Sequence, residues 1–228
     1  MPEKPLSVYI GLDKRFGLEA ARVCEDSILK HASAPVAITL LDQDWLRRVG
    51  LYTRQFYVED GQHYDSRDGK PFSTEFSFTR FLVPSLQPSG WALFMDSDFM
   101  LRADIKDLFD LFDDKYSLMC VKHDYRPRES RKMNGEMQSN YMRKNWSSLM
   151  AFNCDRNHLT PFQANTMPGH WLHRMAWLGD TEIGELPESW NWLDGHSTCE
   201  PSAVHFTRGT PDMHGWELTQ YAEEWRGY

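Results

Sequence analysis

The sequence predicts an α/β fold in which a mostly parallel sheet carries helices on both faces. Near the N-terminus, two short apolar segments, 6–13 and 34–43, enclose a helical pattern at 17–32. This β, α, β order implies parallel strands joined by a right-handed crossover, as in nucleotide-binding α/β folds. The continuous apolar run at 91–95 is typical of a strand buried on both faces. No linker-like stretch divides the 228 residues, so we expect a single domain, 1–228.

Two segments between these strands predict less regular structure. Residues 51–72 are polar and rich in turn residues, which predicts a loop with a short strand. The stretch 73–86 predicts a helix that Ser73 or Thr74 caps and that Pro84 disturbs or ends.

The second half of the chain continues the alternation of strands and helices. Asp104 is expected to cap a helix at 105–112, and Thr160 a helix that begins with Pro161. Further elements are predicted as strands at 116–122, 147–153, 183–187 and 203–207, and as a helix at 170–178.

Composition and charge exclude several classes of function. The net charge of -8 argues against a general nucleic-acid binder, because Lys and Arg supply most non-specific affinity for the phosphate backbone. The sequence contains neither G-x-G-x-x-G nor a P-loop, so a dinucleotide-dependent dehydrogenase and a P-loop NTPase are not expected. Segment 122–144 has seven Lys or Arg against three acids. It suits an anionic small molecule, with an ordinary solvated loop as the alternative.

The cysteines and the N-terminus predict a cytoplasmic protein. The four cysteines are widely scattered without a Cys-x-x-Cys pair, and residues 1–13 lack the pattern of a signal peptide. No apolar run approaches the roughly 18 to 20 residues that a membrane span needs. The sequence does not fix an oligomeric state.

Two aspartates, Asp96 and Asp98, follow the apolar run at 91–95. Side chains two positions apart on a strand share one face, with Cα atoms roughly 6 to 7 Å apart. Open α/β sheets bind ligands beyond the carboxyl ends of their strands, and a divalent cation relieves the repulsion between two close carboxylates. The pair therefore predicts a metal site, with an Asp-rich turn that caps the next helix as the alternative.

The order of short motifs from about Ser7 to Pro211 resembles the retaining glycosyltransferases of the GT-A fold, and within them family 8. The motifs are a strand ending at Asp13, STEFSFTRFLVP, LFMDSD, SSLMAFN, GDTEIGELPESWNW and VHFTRG. The resemblance implies a GT-A, Rossmann-like mixed sheet. It also implies transfer of a hexose from a nucleoside diphosphate sugar, with UDP expected, to an unidentified acceptor hydroxyl with retention of configuration.

The resemblance implies that Asp96, Asp98 and His205 hold Mn²⁺ or Mg²⁺ against the donor pyrophosphate. A divalent ion there stabilises the charge that develops on the departing nucleoside diphosphate. The imidazole ligand favours Mn²⁺ over Mg²⁺.

The resemblance also implies a set of donor-binding residues. They are Asp13, Arg80, Asp96, Ser97, Lys122, Ser147, Ser148, Asn153, Asp180, Arg208 and Gly209. An arginine such as Arg80 forks two hydrogen bonds to an anion, which lysine does not. The family commonly has a lysine after the His-Phe pair. Its charge is expected either from Arg208, or from Lys122 or Arg126 folding over the phosphates.

The catalytic residues implied by the resemblance are Asp180, Thr181 and Glu182, beside the transferred sugar. The family commonly has Asp-Gln-Asp here, so the residue that faces the reacting carbon stays open. A structural alternative is that Asp180 caps a turn.

Two other functions stay open from the sequence. A haloacid dehalogenase-like phosphoryl-transfer enzyme also ends a strand in Asp-x-Asp, and it would release phosphate from generic esters. A non-catalytic member of the GT-A fold would bind a nucleotide sugar without turnover.

Overall fold

The computed structural model describes residues 4–16, 18–124, 131–132, 136–137, 143 and 145–228. Its strands are β1 (Leu6–Gly11), β2 (Val36–Leu41), β3 (Phe56–Glu59), β4 (Gln62–Asp65), β5 (Pro71–Phe72), β6 (Trp91–Met95), β7 (Phe99–Leu101), β8 (Leu118–Cys120), β9 (Arg131–Lys132), β10 (Glu136–Met137), β11 (Leu149–Asn153), β12 (Ile183–Glu185), β13 (Trp192–Leu193) and β14 (Ala203–His205).

The α-helices are short apart from the first. They are α1 (Glu19–His31), α2 (Gln43–Arg48), α3 (Phe76–Thr79), α4 (Val83–Leu86), α5 (Ile105–Phe109), α6 (Pro161–Thr166), α7 (Gly169–His173) and α8 (Ala222–Arg226). Segments of 3₁₀-helix cover Lys14–Phe16, Arg80–Leu82, Trp146–Ser148, Asp180–Glu182 and Glu188–Asn191. None of the helices in the described residues is long and apolar enough to cross a bilayer.

A six-stranded sheet with the order β12-β8-β11-β6-β1-β2 forms the centre of the fold. β1 pairs in parallel with β2 and β6, and β12 pairs in parallel with β8. β11 runs antiparallel to both of its neighbours, β6 and β8. Every strand except β11 therefore points the same way, which confirms the predicted mostly parallel sheet.

Strand β6 is buried on both faces. Phe94 belongs to one hydrophobic cluster, with Phe81 from the segment after α3 and Leu172 from α7. Its neighbour Leu93 belongs to a second cluster, with Ile28 from α1. Helices therefore cover both faces of the sheet, and the uninterrupted apolar run at 91–95 follows from this burial.

A smaller three-stranded sheet, β13-β14-β7, adjoins the central sheet. β7 follows β6 after a three-residue turn, and β14 pairs antiparallel to it, with His205 opposite Phe99. Val23 on α1 and Trp225 on α8 join the hydrophobic cluster of this smaller sheet.

The prediction of one short strand in 51–72 was wrong, because this segment forms the three-stranded sheet β3-β4-β5. Asp60 and Gly61 both have positive φ, at 50° and 80°, and this turn joins β3 to β4. Two central residues with positive φ match the twist of a tight hairpin, and Asp-Gly is a favoured pair for it.

The predicted helix at 73–86 is divided into α3, the 3₁₀ segment Arg80–Leu82 and α4. Pro84 has no N–H, so it cannot donate to the carbonyl of Arg80, and the chain tightens over that turn. The predicted helix at 170–178 ends early at His173, and Met175 has a φ of 53°. A residue in the left-handed region stops the helix.

Two predicted helix caps, Asp104 and Thr160, are confirmed. The prediction that Ser73 or Thr74 caps the helix at 73–86 was wrong, because α3 begins after Glu75 without a side-chain cap. The Asp104 carboxylate accepts from Lys106 N at the start of α5. Thr160 forms a capping box with Gln163, and Pro161 occupies the first turn of α6.

Candidate metal and donor site

The two acids lie in the turn between β6 and β7, because β6 ends at Met95. They therefore lie at the carboxyl end of this strand, as predicted, but just outside its paired residues. Asp96 N donates to Ser148 O at 2.9 Å, and Phe206 N donates to Asp98 O at 2.9 Å. The central sheet therefore fixes one end of the turn, and the smaller sheet fixes the other.

The turn brings Asp96 and Asp98 together with His205. One ligand atom from each of the three residues lies within 4.8 Å of the other two. His205 Nε2 is 3.3 Å from Asp98 Oδ1, and its ring stacks on Phe99 with a centroid separation of 4.4 Å. This is the one such cluster of His, Cys, Asp or Glu in the part of the chain that the structure describes. Two carboxylates and an imidazole suit a divalent cation, so the donor set fits Mn²⁺ or Mg²⁺.

Arg80 forms an ion pair with Asp96. Its Nη1 lies 2.9 Å from Asp96 Oδ1 and donates to Ser147 O at 2.7 Å, and its Nε donates to Phe76 O at 3.1 Å. The Arg80 residue is only 5% exposed. These contacts turn the guanidinium inward and make it a support for the Asp96 carboxylate.

Asn191 holds His205 from the side opposite to the acids. Its Oδ1 lies 2.8 Å from His205 Nδ1, and its Nδ2 donates to Ser148 Oγ at 3.0 Å and to Asn145 O at 3.2 Å. Asn191 is fully buried. The sequence interpretation missed this residue, although an asparagine between two tryptophans was a signal of a buried polar group.

The 3₁₀ segment Trp146–Ser148 connects the groups that support Asp96 with those that support His205. The Ser147 carbonyl accepts from Arg80, while its hydroxyl lies 2.9 Å from His173 Nδ1 on α7. The Ser148 carbonyl accepts from Asp96 N, and its hydroxyl accepts from Asn191. Both predicted serines therefore adjoin the acids, and Ser97 lies half-buried between them.

A second buried histidine, His123, lies beside this cluster and was also missed. It is 8% exposed, and its carbonyl accepts from Trp146 Nε1 at 2.9 Å. Burial, with a smaller contribution from nearby His205, lowers the pKa of His123 to about 4. The ring is therefore neutral at physiological pH.

Two predicted donor residues are engaged by neighbouring protein groups. The Asp13 carboxylate, two residues beyond β1, accepts from the backbone and guanidinium of Arg15 and from Glu75 N. Lys122 Nζ donates to Ile183 O at 2.8 Å.

The predicted residues Arg208 and Gly209 follow β14. Arg208 pairs with buried Asp194 at 2.6 Å, and its Cζ lies 4.9 Å from the centroid of the Trp216 ring. A Cβ on Gly209 would lie 2.3 Å from Trp216 Cδ1, so only glycine allows the ring to pack here.

The structure does not bring every predicted residue to this site. Asn153 is in register with Trp91 at the start of β6, and its Nδ2 donates to Tyr116 O. Asn153 therefore lies near the amino end of β6, whereas Asp96 follows its carboxyl end. Arg126 and most of segment 122–144 fall outside the described residues.

The predicted catalytic residues precede β12, whose first residue, Ile183, is in register with Leu118 at the start of β8. Glu182 O accepts from Ser117 N at that same edge of the sheet. Asp180 is exposed and pairs with Arg143. Thr181, the next residue, is also exposed. These three residues therefore lie at the amino ends of β8 and β12, whereas Asp96 and Asp98 follow the carboxyl end of β6.

One curated relative settles the family of this chain. No protein-family model matches it. Protein CDI of Arabidopsis thaliana is 46% identical over 234 residues, which cover 98% of this chain and 85% of that protein. The chain belongs to the Protein CDI family. The name of this family does not state an activity.

Solved glycosyltransferase structures share the fold of this Protein CDI family member. The glycosyltransferase GlyE of Streptococcus pneumoniae has a TM-score of 0.59 at 16% identity, over 99% of this chain and 60% of its own. The galactosyltransferase LgtC, solved with donor and acceptor sugar analogs, has a TM-score of 0.57 at 10% identity, over 97% and 94%. The bifunctional glycosyltransferase WbbM has a TM-score of 0.53 at 14% identity, over 99% and 52%.

These similarities show the GT-A fold for the Protein CDI family member. The chain spans less than two thirds of the lengths of GlyE and WbbM. The haloacid dehalogenase alternative gains no support, since each of these structures is a glycosyltransferase.

Proposed function

We propose that this protein is a metal-dependent, retaining glycosyltransferase of the family 8 type. It transfers a hexose from a UDP-sugar to an acceptor hydroxyl. The observation that carries the proposal is the convergence of Asp96, Asp98 and His205 within 4.8 Å, beyond the carboxyl end of β6. Ligands of open α/β sheets bind at this edge.

The metal ligands in this proposal are Asp96, Asp98 and His205, with Mn²⁺ preferred over Mg²⁺. When bound, the ion supplies a positive charge where the departing diphosphate becomes more negative. Arg80 fixes the Asp96 carboxylate through its contacts with Asp96 and Ser147. The contacts of Arg80 favour this supporting role over direct contact with the donor.

The proposed donor-binding residues include the small residues around this metal cluster. Ser97, Ser147 and Ser148 present small side chains and backbone at the sheet edge, which allow close approach of a diphosphate sugar. Asp13, Lys122, Arg208 and Gly209 belong to the proposal through the resemblance alone. Retention needs no dedicated general base, because the departing phosphate oxygen can take the acceptor proton on the same face.

We also propose a cytoplasmic location. Cys24, Cys120, Cys154 and Cys199 are free in the structure, in keeping with a reducing compartment.

A thermal-shift panel of nucleotide sugars with Mn²⁺, Mg²⁺ and EDTA tests the proposal. A ligand that binds only the folded state raises the apparent melting temperature. We expect a UDP-sugar to raise it in Mn²⁺ and not in EDTA. Asp98→Asn should abolish the rise, while Asp60→Asn, in the exposed turn after β3, should leave it intact. A rise of equal size in EDTA would contradict the metal-dependent site.

A second candidate is a non-catalytic GT-A protein that binds the same donor. The placement of Glu182 beside Ser117 favours it, because this position lies at the amino ends of β8 and β12, whereas Asp96 follows the carboxyl end of β6. Slow hydrolysis of the bound UDP-sugar separates the two. Release of UDP and free sugar supports the transferase, while stable binding over the whole panel supports the binding protein.

A further inference from the structure

The hydrogen bonds around Asn191 determine which way its side-chain amide points. Asn145 O is a carbonyl and can only accept. Ser148 Oγ donates its hydrogen to Asn145 O at 2.7 Å, so the hydroxyl oxygen remains available only as an acceptor. The Asn191 atom that faces both acceptors, at 3.0 and 3.2 Å, must therefore be the amide nitrogen. The amide oxygen then points toward His205.

This orientation determines where His205 carries its ring hydrogen. Asn191 Oδ1 lies 2.8 Å from His205 Nδ1 and can only accept, so Nδ1 bears the hydrogen. In the neutral ring Nε2 then keeps its lone pair. Nε2 is the ring nitrogen on the side of the acids, 3.3 Å from Asp98 Oδ1. A lone pair beside a carboxylate oxygen is repulsive, and a cation between the two groups removes the repulsion.

We propose that Asn191 is a positioning residue that holds His205 in the Nδ1–H form, so that Nε2 is available to a divalent metal ion. A histidine ligand commonly donates its other ring hydrogen to a fixed acceptor, which sets both the tautomer and the ring orientation. Here the fixed acceptor is the Asn191 amide, whose orientation comes from Asn145 and Ser148. The metal-binding half of this inference rests on the proposed function, whereas the tautomer is a property of the metal-free protein.

Histidine-selective ¹⁵N NMR of the whole metal-free chain tests the tautomer directly, at a pH where the His205 ring is neutral. We expect the Nδ1–H pattern for His205 in the unsubstituted protein. Asn191→Leu removes the acceptor at similar volume, and it should shift His205 toward the Nε2–H form. Asn191→Asp keeps an acceptor oxygen and should preserve the Nδ1–H pattern. A purely structural role for Asn191 would leave the tautomer unchanged.

Titration with Mn²⁺ alone, followed by electron paramagnetic resonance, measures the consequence for metal binding. Removing a partner of this kind typically weakens metal affinity by about 10- to 100-fold, and we expect that loss in Asn191→Leu. Asn157→Leu is the matched control. Asn157 is also buried, donates to Ser117 O and accepts from Leu159 N, away from the metal cluster. It should destabilise the fold without changing the affinity for Mn²⁺.

Two results would overturn the inference: an Nε2–H pattern in the unsubstituted protein, or equal Mn²⁺ affinity in Asn191→Leu. If Asn191→Leu does not fold, the unsubstituted spectrum and Asn191→Asp still decide the tautomer. A protein that shows the expected tautomer and yet binds no Mn²⁺ would overturn the metal in the proposed function. The control of the tautomer by Asn191 would then stand by itself.

Discussion

Two buried Arg–Asp pairs, Arg54–Asp65 and Arg80–Asp96, have the same charges and differ in their surroundings. In the first pair Arg54 Nη2 lies 2.5 Å from Asp65 Oδ2, and the two side chains are 1% and 2% exposed. In the second pair Nη1 lies 2.9 Å from Oδ1, and the side chains are 6% and 15% exposed. The first pair is fully enclosed by the protein, whereas the second pair is slightly exposed, at the carboxyl end of β6.

The hydrogen bonds of the first pair are largely satisfied within the protein. Arg54 makes two bonds to Asp65, donates to Ala164 O and Met167 O, and lies 4.0 Å from the centroid of the Phe78 ring. This pair connects the β3-β4-β5 sheet to α6, and its carboxylate faces no other acid in a metal-like cluster among the described residues.

The second pair holds a carboxylate that also faces Asp98 and His205. An arginine can therefore hold a carboxylate either within a closed core or in a position where it faces a ligand. The two pairs differ in what else the aspartate faces: Asp96 faces Asp98 and His205, whereas Asp65 belongs to no such cluster among the described residues.

Asp65→Asn should lower the free energy of unfolding by about 3–5 kcal/mol, because it leaves the Arg54 charge buried without its partner. Urea unfolding measures this loss. The double variant Arg54→Met with Asp65→Leu removes both charges and should recover most of the stability. A loss below about 1 kcal/mol in Asp65→Asn would show that the enclosed pair does not hold the sheet.

His123→Gln should make the protein less sensitive to acid. The pKa of His123 is lowered to about 4 in the folded chain, whereas the unfolded chain binds the proton near pH 6.5. Between these values acid favours the unfolded state, so the unsubstituted protein loses on the order of 3 kcal/mol as the pH falls through that window. The variant should lack this part of the loss, while above pH 6.5 the group has no such effect.

Urea unfolding at pH 7 and pH 4.5 measures the difference for His123→Gln. The exposed residue His214 provides the control, since His214→Gln should follow the unsubstituted protein. Parallel pH curves for both variants would contradict burial of a neutral imidazole next to the metal cluster.

Asp96→Asn should remove the stabilisation that Mn²⁺ and donor provide, about 2.7 kcal/mol at a ligand concentration of 100 times Kd. Differential scanning calorimetry with and without both ligands measures it. Asp65→Asn should keep the full stabilisation below its own melting temperature. If the two variants lost it equally, the functional distinction between the pairs would fail.

Arg80→Lys should have the smallest effect, about 1–2 kcal/mol in unfolding free energy, because lysine keeps the charge and loses part of the donor fork. It should also weaken Mn²⁺ binding, since Asp96 is held less firmly. Arg54→Lys is the companion variant. It should reduce stability further and leave Mn²⁺ affinity unchanged in a direct titration.

The strands and the acid cluster could be predicted because their signals are local. The apolar run at 91–95 reports burial on both faces, and Asp96 and Asp98 adjoin it in the chain. The role of Asn191 depends on hydrogen bonds to Asn145, Ser148 and His205, which a single sequence does not encode locally.

The inward direction of Arg80 was not predictable for a related reason. Its position on a helix before β6 fits either a ligand contact or a support, and only the backbone of Ser147 and the carboxylate of Asp96 distinguish them. The three strands in 51–72 were missed because their exposed, mixed composition hides the alternation that usually marks a strand.

The turn between β6 and β7 joins two sheets that are otherwise separately hydrogen-bonded, and each of its acids is anchored to a different one. An ion held by Asp96 and Asp98 would therefore link the two sheets at this turn. Comparison of amide exchange in β14 with Mn²⁺ and with EDTA would show whether the ion adds to the stability that the shared hydrophobic cluster already gives this junction.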